Sequence, residues 1–198
     1  MKAVEVVVKD KDGSVVYRTG YNLDLYEEYL KRNTNDLPTL WTVRFFTALL
    51  TPVTRGHYSS FSFTDTGGTA RIQDVKRNTG SDTTSDLHFF NTYVCSNRLW
   101  ISYGSSSAPP SRTDYKLGSK LGEGVTTITV DETAGIITLS VSFTITTDIT
   151  VYEVGLEWEG CVSSFNVCGK FLVDRTVFPE GIPVRAGQTL TVIYRFIF

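Results

Sequence analysis

The plainest regularity in the chain is a period of two in its carboxyl half. Ile137, Leu139, Val141, Phe143 and Ile145 alternate with Thr138, Ser140, Ser142 and Thr144, giving one apolar and one hydroxyl face. That is the pattern of a half-buried antiparallel strand. Glu132-Thr133-Ala134-Gly135 before it reads as a turn that pairs it with a strand over residues 125–131. Tyr152, Val154, Leu156 and Trp158 repeat the alternation against Glu153, Gly155 and Glu157. Residues 189–198 differ in being apolar on both faces, with Leu190, Val192, Tyr194, Phe196 and Phe198 on one and Ile193 and Ile197 on the other. Such a strand must be covered twice, by its own core and by either amino-proximal helices or a neighbouring subunit.

The amino half is more mixed. Residues 3–9 and 14–19 are apolar runs separated by Asp10-Lys11-Asp12-Gly13, which predicts a hairpin. Residues 22–32 have acids early and bases late, the order a helix dipole favours, and residues 39–50 carry apolar positions at three- and four-residue spacing before Pro52. Two short helices are expected there, although Trp41, Val43, Phe45 and Phe46 also suit a strand. Residues 57–64 and 69–76 read as strands around Asp65-Thr66-Gly67-Gly68, 78–86 as a polar loop, and 87–94 and 98–103 as further strands. Residues 104–114 hold two prolines and four serines behind a glycine and predict an irregular connection. The expectation is a mainly β fold, an antiparallel β-sandwich of jelly-roll-like form with one or two short N-terminal helices. It comprises one domain over 1–198, with the hairpin and helices of 1–52 packed on it and 53–98 as inserted strands and loop.

Composition adds exclusions. The 198 residues are 41% hydrophobic and 13% aromatic, enough to fold around a core. With 19 Lys+Arg against 21 Asp+Glu and no long basic run, no footprint for gripping nucleic acid is visible. No stretch resembles a secretory signal or reaches the roughly 18–20 apolar residues of a bilayer span, so synthesis in the cytoplasm without membrane insertion is expected. Cys95, Cys161 and Cys168 are too few for a disulfide framework. Cys161 and Cys168 are close enough in sequence for a local disulfide in an oxidising setting, buried thiols being the alternative.

Candidate chemistry is thin. His57 and His88 lie beside aromatics in strand patterns and have neither nucleophile nor metal-ligand spacing, so no catalytic residue, cofactor or metal is expected. Glu153 and Glu157 share a strand face about 13 Å apart, too far for a glycosidase pair, and read as a solvated acidic edge. Residues 118–124 are glycine-rich but lack phosphate-loop order and read as a turn. Trp100, Tyr103 and Tyr115 are aromatics able to stack on sugar rings, which makes a carbohydrate-binding module the competing function.

From Leu99 to Gly118 the chain resembles a pattern of tail- and fibre-associated virion proteins of phages, an apolar strand ending in "iGtGttaPs.tDtaLg", which here reads ISYGSSSAPPSRTDYKLGSKLG. A preceding "la.ll" helix corresponds to Phe46-Thr47-Ala48-Leu49-Leu50. A following "i.EvGLf…LlaR.vf.pi.v..Gdtl.v.y.i.f" tail corresponds to Val151-Tyr152-Glu153-Val154-Gly155-Leu156, to Phe171-Leu172-Val173-Asp174-Arg175-Thr176-Val177-Phe178-Pro179 and to residues 184–198. Serines replace the usual glycine and threonines after Gly104, and residues 53–98 form an insertion. The resemblance implies a non-enzymatic virion structural protein of a phage or archaeal virus (tail, baseplate, neck or turret component), residing in the virion and acting through self-assembly. Implied partners are its own copies, other virion proteins and a host surface glycan. The strand with two apolar faces then supplies the expected subunit interface: Leu190, Val192, Ile193, Tyr194, Phe196, Ile197 and Phe198.

Overall fold

The computed structural model describes residues 2–19, 36–38, 58–76, 98–162 and 167–197. These residues form strands β1 (Lys2–Lys9), β2 (Val15–Arg18), β3 (Asp36–Pro38), β4 (Tyr58–Thr64), β5 (Ala70–Lys76), β6 (Arg98–Gly104), β7 (Lys120–Val125), β8 (Thr127–Asp131), β9 (Ile136–Thr144), β10 (Ile149–Val162), β11 (Val167–Val184) and β12 (Thr189–Ile197). No helix occurs among the described residues, and the helices expected over 22–32 and 39–50 lie outside them, as does the strand expected over 87–94.

Two five-stranded antiparallel sheets carry the fold, one ordered β2-β1-β12-β9-β8 and the other β3-β11-β10-β6-β7. Their facing sides share one apolar core. Val4, Val6, Val8, Leu139, Leu190, Val192 and Tyr194 come from the first sheet, and Ile101, Val151, Val154, Leu156, Ile182 and Val184 from the second. Fully burying side chains of this size is worth about 1.5–3 kcal/mol each, which makes this interlayer the main source of stability. The β4–β5 hairpin forms a separate pair whose turn leans on the second sheet, where the Thr66 amide donates to the Lys170 carbonyl at 3.0 Å.

The local reasons are readable. Gly13 closes the β1–β2 turn at a φ of 86°, and the Asp12 carboxylate accepts from the Ser14 amide at 2.9 Å. The alternation seen in β9 places Leu139 inside, and the outward Ser142 hydroxyl meets Thr191 of β12 at 2.8 Å.

Three expectations change. Residues 118–124 are not merely a turn: β7 is a strand on β6, with Gly122 against the Tyr103 ring and Gly124 against Val141 and Phe143. The strand expected over 125–131 is divided, since the chain leaves the second sheet after Val125 and enters the first at Thr127. Finally, β12 lies inside its sheet between β1 and β9, so Leu190, Val192 and Tyr194 are buried in the chain's own core and are not free to meet a partner. Phe196 packs partly buried on the same core, and Ile193 turns to the opposite face, half-buried. The Ile197 side chain and Phe198 lie outside the described residues.

Candidate functional site

The side of the second sheet that faces away from the core carries a concentration of charge that is mostly buried. On β10, Glu153 and Glu157 are fully buried, which corrects the expectation of a solvated acidic edge. The alternation does turn them away from Val154 and Leu156, but the segment 105–119 folds over that face and closes it.

Glu153 is the centre of this closure. Its carboxylate accepts from the backbone amides of Ser119 (2.7 Å), Gly118 (3.0 Å) and Ser106 (3.3 Å), and from Arg175 Nε at 2.8 Å. Arg175, on the neighbouring β11, is itself buried. Its Nη1 donates to Asp114 Oδ2 at 2.7 Å, and Nη2 to the Ala108 carbonyl at 3.1 Å. Burial alone would lower the Arg175 guanidinium, but the hydrogen bonds to Asp114 and Glu153 outweigh it and hold the group above its ordinary value. Asp114 also accepts from the Ser111 amide at 2.8 Å, tightening the middle of the segment. Three backbone amides, two carboxylates and one guanidinium thus clamp an irregular segment onto two strands. Charge-assisted bonds of this kind are roughly twice as strong as neutral ones.

An apolar contact completes the clamp. Leu117 is 2% exposed and lies over Gly155, where a Cβ would stand 2.9 Å from Leu117 Cδ2 and 3.0 Å from Leu172 Cδ1. Gly104, where the segment leaves β6, has the Ser119 carbonyl oxygen at 2.3 Å and Glu153 Oε1 at 2.6 Å from the place of a Cβ. Only glycine lets the backbone pass there.

A second, more exposed group continues the row. Glu157 accepts from the buried Ser102 hydroxyl at 2.8 Å and from Lys120 Nζ at 2.9 Å. Lys120 also reaches Glu123 at 2.7 Å, and Glu123 pairs with Lys170. Burial would raise the Glu123 carboxyl, yet the hydrogen bonds from Lys120 and Lys170 hold it below its ordinary value of 4.5. The Lys170 ammonium sits 3.5 Å from the centre of the Trp100 ring, whose Nε1 donates to Glu159 at 2.8 Å.

The aromatics proposed for sugar stacking are not brought together. Trp100 lies on this outer face under Lys170, whereas Tyr103 turns into the core, its ring 4.8 Å from that of Phe143. Tyr115 is in the clamped segment beside Gly68. His57 and His88 lie outside the described residues. Among the described residues no group of three His, Cys, Asp or Glu could hold a metal ion, and no helix is long and apolar enough to cross a membrane. Cys161 and Cys168 fall directly opposite one another in the β10–β11 register, and Cys95 lies outside the described residues.

The convergence of Asp114, Glu153 and Arg175 was the part that residue types alone did not reveal, since the three lie on segments separated by 22 to 61 residues. No family model matches the chain, and neither a curated protein nor a solved structure matches it.

Proposed function

We propose that the protein is a virion structural component, a jelly-roll-like β-sandwich that acts through self-assembly rather than turnover. One observation carries the reading. The charged letters of three separated pieces of the resembling pattern meet in one cluster: Asp114 of "tDtaLg", Glu153 of "EvGL" and Arg175 of "LlaR" form the ionic clamp. Leu117, Gly155 and Leu172 of the same pieces form its apolar contact. A pattern whose letters meet in space behaves as one structural unit, which supports carrying the virion reading over to this chain. The charges in that unit are spent on holding a surface segment in a fixed shape, as a protein that presents surfaces for assembly requires.

On this reading the chain is made in the host cytoplasm, resides in the virion and meets copies of itself and other virion proteins. The carbohydrate-binding alternative has no comparable support, because Trp100 and Tyr103 point to opposite faces of β6. Native mass measurement of the purified chain and of the particle is the test. The expected result is a homo-oligomer in solution and repeated copies in the particle. A chain that stays monomeric at every concentration, is missing from particles and binds a glycan saturably would overturn the proposal.

A further inference from the structure

Among the described residues the two sheets have four edges, and three carry features that discourage pairing with another strand. β3 is three residues long and ends in Pro38, β2 ends in Arg18 beside an irregularity in its pairing with β1, and β7 has a bulge at Lys120 and bears Glu123. The fourth edge, β8, is neither short nor irregular, and its one charge is Asp131 at its end. It pairs with β9 in unbroken register, contains neither proline nor lysine, and is exposed at all five positions.

Its apolar residues are on the wrong side for solvent. Ile128 and Val130 stand opposite Leu139 and Ile137 of β9, both of which belong to the core-facing side of the sheet. Yet Ile128 is 53% and Val130 60% exposed. The first sheet therefore overhangs the second by one strand, leaving an apolar ledge next to an open hydrogen-bonding edge.

We infer that β8 pairs antiparallel with β8 of a second copy of this chain across a twofold axis at Thr129. In that register Ile128 meets the second copy's Val130 and Thr129 meets itself. Asp131, the only charge on the strand, meets Thr127. The register is bounded on both sides. A two-residue slide one way sets Val130 opposite itself and brings the two Asp131 to about 7 Å along the strands, and a four-residue slide sets their carboxylates face to face. Sliding the other requires residues before Thr127, which have already crossed into the second sheet. In the bounded register the two Asp131 are kept about 14 Å apart, at four residue rises. All four aliphatic side chains fall on one face of a continuous ten-stranded sheet, an isologous contact. The inference names the partner within the assembly reading and rests on that reading only in taking a copy of the chain as the occupant.

The test uses the full chain. Sedimentation over a concentration series is expected to show a reversible dimer. Thr129→Cys is expected to give a disulfide-linked dimer on mild oxidation, whereas Thr127→Cys and the unchanged chain, with the same three native cysteines, are not. Val130→Lys is expected to weaken association on the order of 100-fold, since both Val130–Ile128 pairs of the interface are lost, with an unchanged thermal midpoint at concentrations where the unaltered chain is monomeric. An oligomer that survives Val130→Lys and gives no Thr129→Cys link would overturn this edge as the interface and leave self-assembly standing. A chain monomeric at all concentrations would overturn both, and an edge that closes only on a different virion protein would overturn the second copy as its occupant.

Discussion

Replacing Glu153 by glutamine is a small change in shape with a large expected cost. Four donors converge on the two carboxylate oxygens: the amides of Ser106 and Ser119 on one, and the Gly118 amide and Arg175 Nε on the other. Glutamine keeps one oxygen. Whichever way its amide turns, the NH2 group faces two of those donors and leaves them without an acceptor. Each buried donor so orphaned costs about 1–3 kcal/mol, or about 2–6 kcal/mol for the pair. The same range contains the roughly 3–5 kcal/mol lost when one partner of a buried ion pair is removed. For a chain of this size about 4 kcal/mol corresponds to a fall in melting midpoint of about 8–16 °C. Thermal unfolding followed by near-ultraviolet circular dichroism at neutral pH measures the global effect. Limited trypsinolysis reads the local one, because Arg112 and Lys116 are exposed on the clamped segment. Cleavage after either is expected to accelerate in Glu153→Gln at temperatures where the body is still folded. A midpoint within about 3 °C of the original, together with unchanged cleavage at both sites, would refute the reasoning.

Further expectations follow from neighbouring contacts. Gly104→Ala would set a Cβ against the Ser119 carbonyl, which as backbone cannot turn aside, and is expected to cost about 1–3 kcal/mol in denaturant titration, with faster cleavage of the same segment. Glu123 is depressed in the folded protein, so its contribution is present above the ordinary value of 4.5 and is lost as the pH falls through the lower folded value. Stability measured against pH is expected to decline from about 4.5 downward, and Glu123→Gln to flatten part of that decline. The opposed positions of Cys161 and Cys168 in an antiparallel pair suit the Cα separation of a disulfide, so thiol titration of the unfolded chain after air oxidation is expected to find Cys95 reactive and the other two protected. Three reactive thiols would contradict it.

How far the sequence reveals this fold depends on whether a residue's environment is made locally. The alternation in β9 survived because its core and its solvent face are both fixed by period two, and the β1–β2 turn because Asp12 and Gly13 supply it within four residues. β12 was legible as a strand but not as a central one, since two apolar faces fit both a subunit contact and the middle of a sheet. β7 was obscured because Gly122 and Gly124 dilute its apolar count, although both are needed for Tyr103 and Phe143 to fit beneath them. Pro179, Gly181 and Pro183 similarly break up the run that forms the end of β11. Glu153 and Glu157 were placed on the correct face, but no periodicity announces that a segment more than thirty residues earlier in the chain returns to cover it. The only signal for the clamp was the resemblance itself, whose fixed Asp, Glu and Arg are the residues that meet.

Amide hydrogen exchange at Gly118 and Ser119 tests the clamp most directly. Both lie in or beside an irregular, partly exposed segment, where exchange is ordinarily close to the free-peptide rate. Because their amides are held by Glu153, protection comparable to that of the β10–β11 ladder is predicted in the unaltered chain, with its loss in Glu153→Gln. Free-peptide exchange at these two amides in the unaltered chain would contradict the account.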